Sequence, residues 1–290
     1  MKTILLPIEC RPPIDSAVAT AALLAQQFEG YIEGFALAPD LPMIVSAEAF
    51  GGAMVAADPG LTLSPEDSAA CRKLFEDNLT ARGLTRQPES TEGTAGATGA
   101  RFGWQDANGP GGNASGRVFL GSYARVFDIS VLCRPASGSD AARMALLETA
   151  LFDSGRPVLL APPTAPKKLG ENILIAWNGT PEAARTVAFA RPLLERARQV
   201  QVVTVAGGQT ETPGGEDLAR HLRLGGIACE GHEVAETEAR GAAFLSEAAR
   251  LGCDLVVKGA YTQSRLRQMF FGGATRHIVT EATLPVFMAH

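Results

Sequence analysis

Ile173-Leu174-Ile175-Ala176-Trp177-Asn178 is an apolar run that ends on a polar residue and leads into an alanine-rich helical pattern. Ile4-Leu5-Leu6-Pro7-Ile8-Glu9 has the same character near the start of the chain. Two more pairs follow. Asp128-Ile129-Ser130-Val131-Leu132-Cys133 matches Asp254-Leu255-Val256-Val257-Lys258-Gly259, and Gly155-Arg156-Pro157-Val158-Leu159-Leu160 matches Thr283-Leu284-Pro285-Val286-Phe287-Met288. The order of matches is the same in both halves, which short apolar runs rarely achieve by chance, so the chain reads as a duplication. Its 290 residues suit two domains, one over 1–165 and one over 170–290.

The second repeat is the easier to follow. Strands are expected at about 172–177, 200–205, 228–234 and 254–258. Between them lie a helix opening at Thr180-Pro181-Glu182, where Thr180 caps and Pro181 sits in the first turn, and helices at about 215–224 and 238–251. Nearly continuous apolar runs bounded by turn residues are the mark of strands covered on both faces. Alternating strands and helices then give an α/β fold of two tandem doubly wound units with mainly parallel, five-stranded sheets. The first repeat is longer, with an insertion at about 39–117. Within it, Ser64-Pro65-Glu66-Asp67 leading to Cys71, Leu74, Phe75 and Leu79 predicts a capped helix. Glu92–Ala100 and Asn108–Gly116 are poor in apolar side chains and read as mobile loops, whereas Met43–Ala57 reads as surface packing in preference to a cover over a site.

Composition narrows the function. With 46% hydrophobic and 20% charged residues the chain is an ordinary globular protein. A net charge of −5 and the lack of a basic run argue against a nucleic-acid partner, and no apolar run nears the roughly 20 residues of a membrane-spanning helix. The first residues read as a strand and not a leader, because Pro7 and Glu9 interrupt the apolar stretch. Five widely spaced cysteines without a Cys-x-x-Cys pair are expected to be reduced thiols of a cytoplasmic protein. His221, His232, His277 and His290 are scattered, and neither metal-ligand spacing nor a nucleophile elbow is present, so no catalytic residue and no metal site is assigned.

The chemistry-bearing stretch is Gly259-Ala260-Tyr261-Thr262, nine further residues, then Gly272-Gly273-Ala274-Thr275-Arg276. It follows an apolar strand and opens a helix. Glycines let backbone N–H groups approach an anion, and a helix start adds unpaired donors and a favourable dipole. The same glycines would also serve a plain strand-to-helix turn. Arg265, Arg267 and Arg276 are placed either to meet phosphates or to lie solvated on the surface.

On these residues both repeats resemble the universal stress protein family, most specifically over 254–290. The resemblance implies a Rossmann-like, adenine-nucleotide-α-hydrolase-like fold whose two units pack as a pseudo-dimer. It also implies a site for ATP or AMP, with Mg²⁺ as a companion of ATP. The family's ATP-binding pattern is Gly, two residues, Gly, nine residues, Gly, then Ser or Thr. Gly259 and Gly272 match it; Thr262 stands at the second glycine and Gly273 at the hydroxyl position, with Thr275 as a nearby substitute. The family's adenine-side Asp corresponds to Asn178, and to Glu9 in the first repeat. Asn178 suits an adenine edge, having a donor and an acceptor, and equally suits a turn before Thr180. Trp177 is expected to fill the core rather than lie along a base.

The first repeat lacks the glycine loop. Cys133-Arg134-Pro135 takes the place of the first glycine region, and Met144 and Ala145 stand where Gly272 and Gly273 do, so one site per chain is expected, in the second unit. The resemblance further implies that Pro157–Leu160 and Pro285–Met288 lie side by side at a pseudo-twofold axis. Three functions follow: a stress-response protein binding an adenine nucleotide, with at most slow hydrolysis; a module without nucleotide that works through protein partners or a homodimer; and an adenylyl-transfer enzyme. Glu9-Cys10-Arg11-Pro12-Pro13 and Asn178-Gly179-Thr180-Pro181 lack the Ser-Gly-Gly loop that the third would need.

Overall fold

The computed structural model describes residues 1–9, 14–37, 64–87, 98–106, 116–136, 140–207, 213–236, 239–260 and 273–290. The first unit runs β1 (Thr3–Glu9), α1 (Asp15–Phe28), β2 (Tyr31–Leu37), α2 (Pro65–Ala81), β3 (Thr85–Arg86), β4 (Arg101–Trp104), α3 (Gly116–Tyr123), a 3-10 turn at Ala124–Val126, β5 (Ile129–Cys133), α4 (Ala141–Asp153) and β6 (Val158–Ala161). The second runs β7 (Asn172–Ala176), α5 (Pro181–Leu194), β8 (Gln199–Val205), α6 (Gly215–Leu224), β9 (Cys229–Val234), α7 (Arg240–Arg250), β10 (Leu255–Gly259), α8 (Gly273–Glu281) and β11 (Val286–Ala289).

The strands form one eleven-stranded sheet in the order β3-β4-β2-β1-β5-β6-β11-β10-β7-β8-β9. Each unit repeats the same winding, with its first strand at the centre. Every pairing is parallel except β6 with β11, which run antiparallel with Leu159 opposite Phe287 and Val158 opposite Met288. The expected pairing of the two closing strands is thus observed, and it fuses the two sheets into one. The first unit carries a strand more than expected, because β3 adds a two-residue edge beyond β4.

Alternation along each strand builds two cores, one on each face of the sheet. Ile4, Leu6, Ile8, Ile173, Ile175, Val257 and Phe287 face α1, α2, α5 and α6; Leu5, Leu174, Val256, Val286 and Met288 face α3, α4, α7 and α8. Both cores run through the two units without a break.

Local signals explain the elements. Ser64 caps α2 by accepting from the Asp67 N–H, and Thr180 caps α5 by accepting from Ala183, each with proline in the first turn. Cys71, Phe75 and Leu79 of α2 are buried, while Leu74 is 40% exposed. The duplication also shows in polar detail. The Asp128 carboxylate accepts from the backbone N–H groups of Lys2 and Thr3, and that of Asp254 accepts from Glu171 and Asn172. Thr20 and Thr186, both fully buried, each donate to the carbonyl one turn earlier.

One expectation is corrected. Cys71 is disulfide-bonded, whereas Cys133, Cys229 and Cys253 are free, so the cysteines are not all reduced thiols. Separation along the chain does not measure proximity in a fold. Met43–Ala57 and most of the two expected loops lie outside the described residues. Among the described residues no helix is long and apolar enough to cross a membrane.

Candidate functional site

In a doubly wound sheet, ligands bind beyond the carboxyl ends of the strands, where the winding reverses. In the second unit that point falls between β7 and β10, which pair with Ala176 opposite Lys258 while β8 continues on the other side of β7. The crevice is bordered by Trp177 and Asn178 after β7, by Gly259 and Ala260 at the end of β10, and by the start of α5.

Trp177 is 4% exposed and its Nε1 donates to the Pro213 carbonyl at 3.0 Å, so the ring fills the core as expected. Asn178 Oδ1 accepts from the Thr180 N–H at 3.3 Å and from Thr180 Oγ1 at 3.0 Å. Its carboxamide oxygen is therefore turned back on the loop that caps α5, leaving its N–H₂ group as the polar end available to a base.

Gly259 has a packing role of its own. A Cβ there would stand 2.6 Å from the Ala183 nitrogen and 2.9 Å from its Cα, so only glycine lets β10 end against the first turn of α5. In α8, Gly273 is exposed with no described residue within 4 Å of a Cβ position, Ala274 is half-buried and Thr275 is 7% exposed. A second glycine sets this helix: a Cβ on Gly241 of α7 would meet His277 Cβ at 2.7 Å and the Ala274 carbonyl at 2.8 Å. Arg276 is exposed. Thr262, Arg265, Arg267 and Gly272 lie outside the described residues.

Lys258 escaped the sequence reading, although a lysine within the apolar run Asp254–Gly259 was a visible signal. It is 8% exposed, and its Nζ donates to the Gly259 carbonyl at 3.2 Å. Its strand neighbours are Ala176 and Met288, both apolar. Burial alone draws its pKa down to about 8.

The first unit's corresponding end is closed. Glu9 ends β1, and both of its carboxylate oxygens accept from Arg143 Nε, at 3.1 and 2.9 Å. Arg143 sits in the first turn of α4, which Asp140 caps by accepting from the Arg143 N–H. Burial opposes the guanidinium charge, and the Glu9 carboxylate more than restores it, so the Arg143 pKa is raised. Cys133 at the end of β5 is pushed up to about 12 by burial, with the Glu9 charge adding to the effect. Helix α4 begins at Ala141 and carries Met144 and Ala145 within it.

No protein-family model matches the chain, and no curated protein matches it significantly. Solved structures do. A universal stress protein from Archaeoglobus fulgidus DSM 4304 superposes with a TM-score of 0.64 at 12% identity, covering 99% of this chain and 95% of that one. A putative universal stress protein from Pseudomonas aeruginosa UCBPP-PA14 gives 0.57 at 14% identity, over 100% and 93% of the two chains. A functionally unknown protein from Pseudomonas aeruginosa PAO1 gives 0.58 at 14% identity, over 100% and 92%. The chain has the fold of these structures, two of which are universal stress proteins, along its whole length.

Proposed function

We infer that this chain is a cytoplasmic universal-stress-protein-like protein that binds one adenine nucleotide, ATP or AMP, in its second unit. The first unit, 1–165, is then a degenerate partner and the second, 170–290, the binding domain. The observation that carries this reading is the contrast between the two strand-end crevices. Glu9 and Arg143 bridge the first, whereas the second has Asn178 after β7 in place of Glu9, and its Gly273 is exposed with no described residue within 4 Å of a Cβ position. Backbone N–H groups at a helix start suit a phosphate. The proposed contacts are Asn178 to the base, and Gly259, Thr262, Gly272, Gly273, Ala274 and Thr275 around the phosphates. Mg²⁺, with ATP, would be held mainly by phosphate oxygens and water.

One observation favours a second reading. The Asn178 oxygen is already engaged by Thr180, and Trp177 offers no exposed ring to a base. In that reading the protein acts without nucleotide, through a protein partner or a homodimer.

Thermal unfolding with ATP and Mg²⁺ separates the two, because a ligand selective for the native state raises apparent stability. Gly273→Asp is the matched control. Its side chain meets no described residue, and an acid near a helix N-terminus suits the dipole, so the fold should hold while phosphate is repelled. A saturable rise in Tm that the variant loses supports nucleotide binding. Two well-folded proteins that both ignore millimolar ATP would favour the second reading.

A further inference from the structure

Helix α2 is fastened to the sheet unevenly. Its second half is well packed. Phase by phase along that half, Phe75 meets Phe102 edge-on at 5.7 Å between ring centroids and Trp104 at 5.4 Å, and Leu79 is fully buried. A Cβ on Gly34 of β2 would stand 2.7 Å from the Phe75 ring, and Gln26 Nε2 of α1 donates to the Arg82 carbonyl just past the helix at 2.9 Å. From Pro65 to Ala70, by contrast, no residue is buried. Helical turns without a buried side chain gain little stability from propensity alone, so their anchor must lie at their inner end. That end is Cys71, which is 2% exposed in the core shared with α1 and is disulfide-bonded.

The other described cysteines are of a different kind. Cys133, Cys229 and Cys253 are free, and burial pushes their thiols up to about 12, 11 and 12, so they hold little thiolate at neutral pH and are poor rivals in exchange. The partner of Cys71 lies outside the described residues, where the sequence holds one cysteine, Cys10. The bond therefore links a residue next to the end of β1 in sequence to the boundary between the two halves of α2. In a reducing compartment, such as the cytoplasm proposed above, a disulfide is a transient, redox-responsive feature.

We propose that the Cys71 disulfide is a redox site, opened by a dithiol reductant and closed by a disulfide oxidant, whose closed form fastens the first half of α2 to the sheet. In opening, one thiolate of the reductant attacks a sulfur of the bond and expels the other cysteine, leaving a mixed disulfide. The reductant's second thiol then displaces the remaining cysteine and departs as a cyclic disulfide. Two electrons and two protons pass to the protein, which ends with two thiols; closure is the reverse exchange. Because Cys71 is buried, attack falls on the partner sulfur or follows local opening of the weakly packed half of α2. The inference is independent of the nucleotide reading.

The test follows the full chain at pH 7 with and without millimolar dithiothreitol, alongside Cys10→Ala. Alkylation followed by intact mass counts the thiols, hydrogen exchange reports on α2, and thermal unfolding confirms that each sample is folded. Air-oxidised wild type should show three thiols after unfolding, and five once dithiothreitol has acted on the native protein. Reduction and Cys10→Ala should each speed amide exchange over 67–72 by about tenfold or more and leave 75–81 unchanged. Oxidised glutathione should restore the protection in wild type and not in the variant. Five thiols in the air-oxidised protein would remove the bond itself. A bond that yields to dithiothreitol only after unfolding is a fixed crosslink and overturns the redox site. Ready reduction with unchanged exchange over 67–72 overturns the role given to α2.

Discussion

The Arg143 guanidinium bridges to the Glu9 carboxylate across the first unit's strand ends, joining the last residue of β1 to the first turn of α4. The pair ties together the two elements between which a ligand of that unit would have to enter. Its side chains are only 16% and 20% exposed, so it is a partly buried pair.

Removing one partner should leave the other charge uncompensated. Arg143→Ala and Glu9→Gln are each expected to lower the unfolding free energy by about 1–3 kcal/mol, less than for a fully buried pair because water still reaches both groups. A double-mutant cycle in urea should return coupling between them; additive losses would mean the pair does not act as one unit.

Lys258 should leave a signature in the pH dependence of stability. Between about 8 and the ordinary lysine value of 10.5, the unfolded chain holds a proton that the folded chain has released, so unfolding free energy should rise with pH. Lys258→Met should flatten that rise and stabilise the unliganded protein at pH 7, by at most about 3 kcal/mol at roughly 1.4 kcal/mol per pKa unit. Urea midpoints at pH 7, 9 and 10 check both statements, and a wild type indifferent to pH across that window would contradict them.

The two equivalent carboxylates should respond to acid in opposite ways. Burial, the largest influence on each, raises both; at Asp128 the N–H groups of Lys2 and Thr3 and the Arg156 charge outweigh it and the pKa is lowered, whereas at Asp254 burial wins. Asp128 therefore contributes stability above the carboxylate value of 3.8 that is lost as pH falls through its lower folded value. Asp254 has the opposite sign, with its contribution present at low pH and lost as pH rises through the raised value. Asp128→Asn should destabilise at neutral pH and converge with wild type in acid, while Asp254→Asn should be neutral or stabilising at pH 7. Denaturation of both variants over pH 3–7 measures this.

Two glycines of the candidate site should behave differently towards alanine. Gly259→Ala drives a methyl against the α5 backbone and is expected to cost about 2–4 kcal/mol. Gly273→Ala meets no described residue and should be tolerated or gain up to about 1 kcal/mol. Similar losses at both positions would contradict the packing described here.

Much of the fold was readable because its signals are local or repeated. Thr180-Pro181 announces α5 within a single turn, and Asp128 and Asp254 mark matching strands because each caps the start of its unit's first strand. The closing strands could be paired because the family resemblance implies it, and their short length and prolines suit a terminal place in each sheet. What escaped depends on distance. Nothing near Glu9 points to Arg143, and β4 hides among glycines, anchored only once Phe102 meets Phe75 edge-on with ring centroids 5.7 Å apart. At the site, Gly259 and Gly273 were both legible as glycines, but which one serves packing and which stays bare is decided by neighbours from other elements. Lys258 was overlooked because its place within an apolar run drew attention to the strand and away from the charge.

The antiparallel junction of β6 and β11 also bears on how the two halves can diverge. When identical chains pair through such strands, every substitution appears twice, and a bridge that seals one crevice seals its twin. Within a single polypeptide that coupling disappears. One half can acquire a plug such as Arg143 while the other stays receptive, and the sealed half still donates its strands and both hydrophobic layers to the common framework. On the proposed nucleotide reading, covalent joining turns a symmetric scaffold into one that holds a single ligand per molecule, whatever the protein concentration.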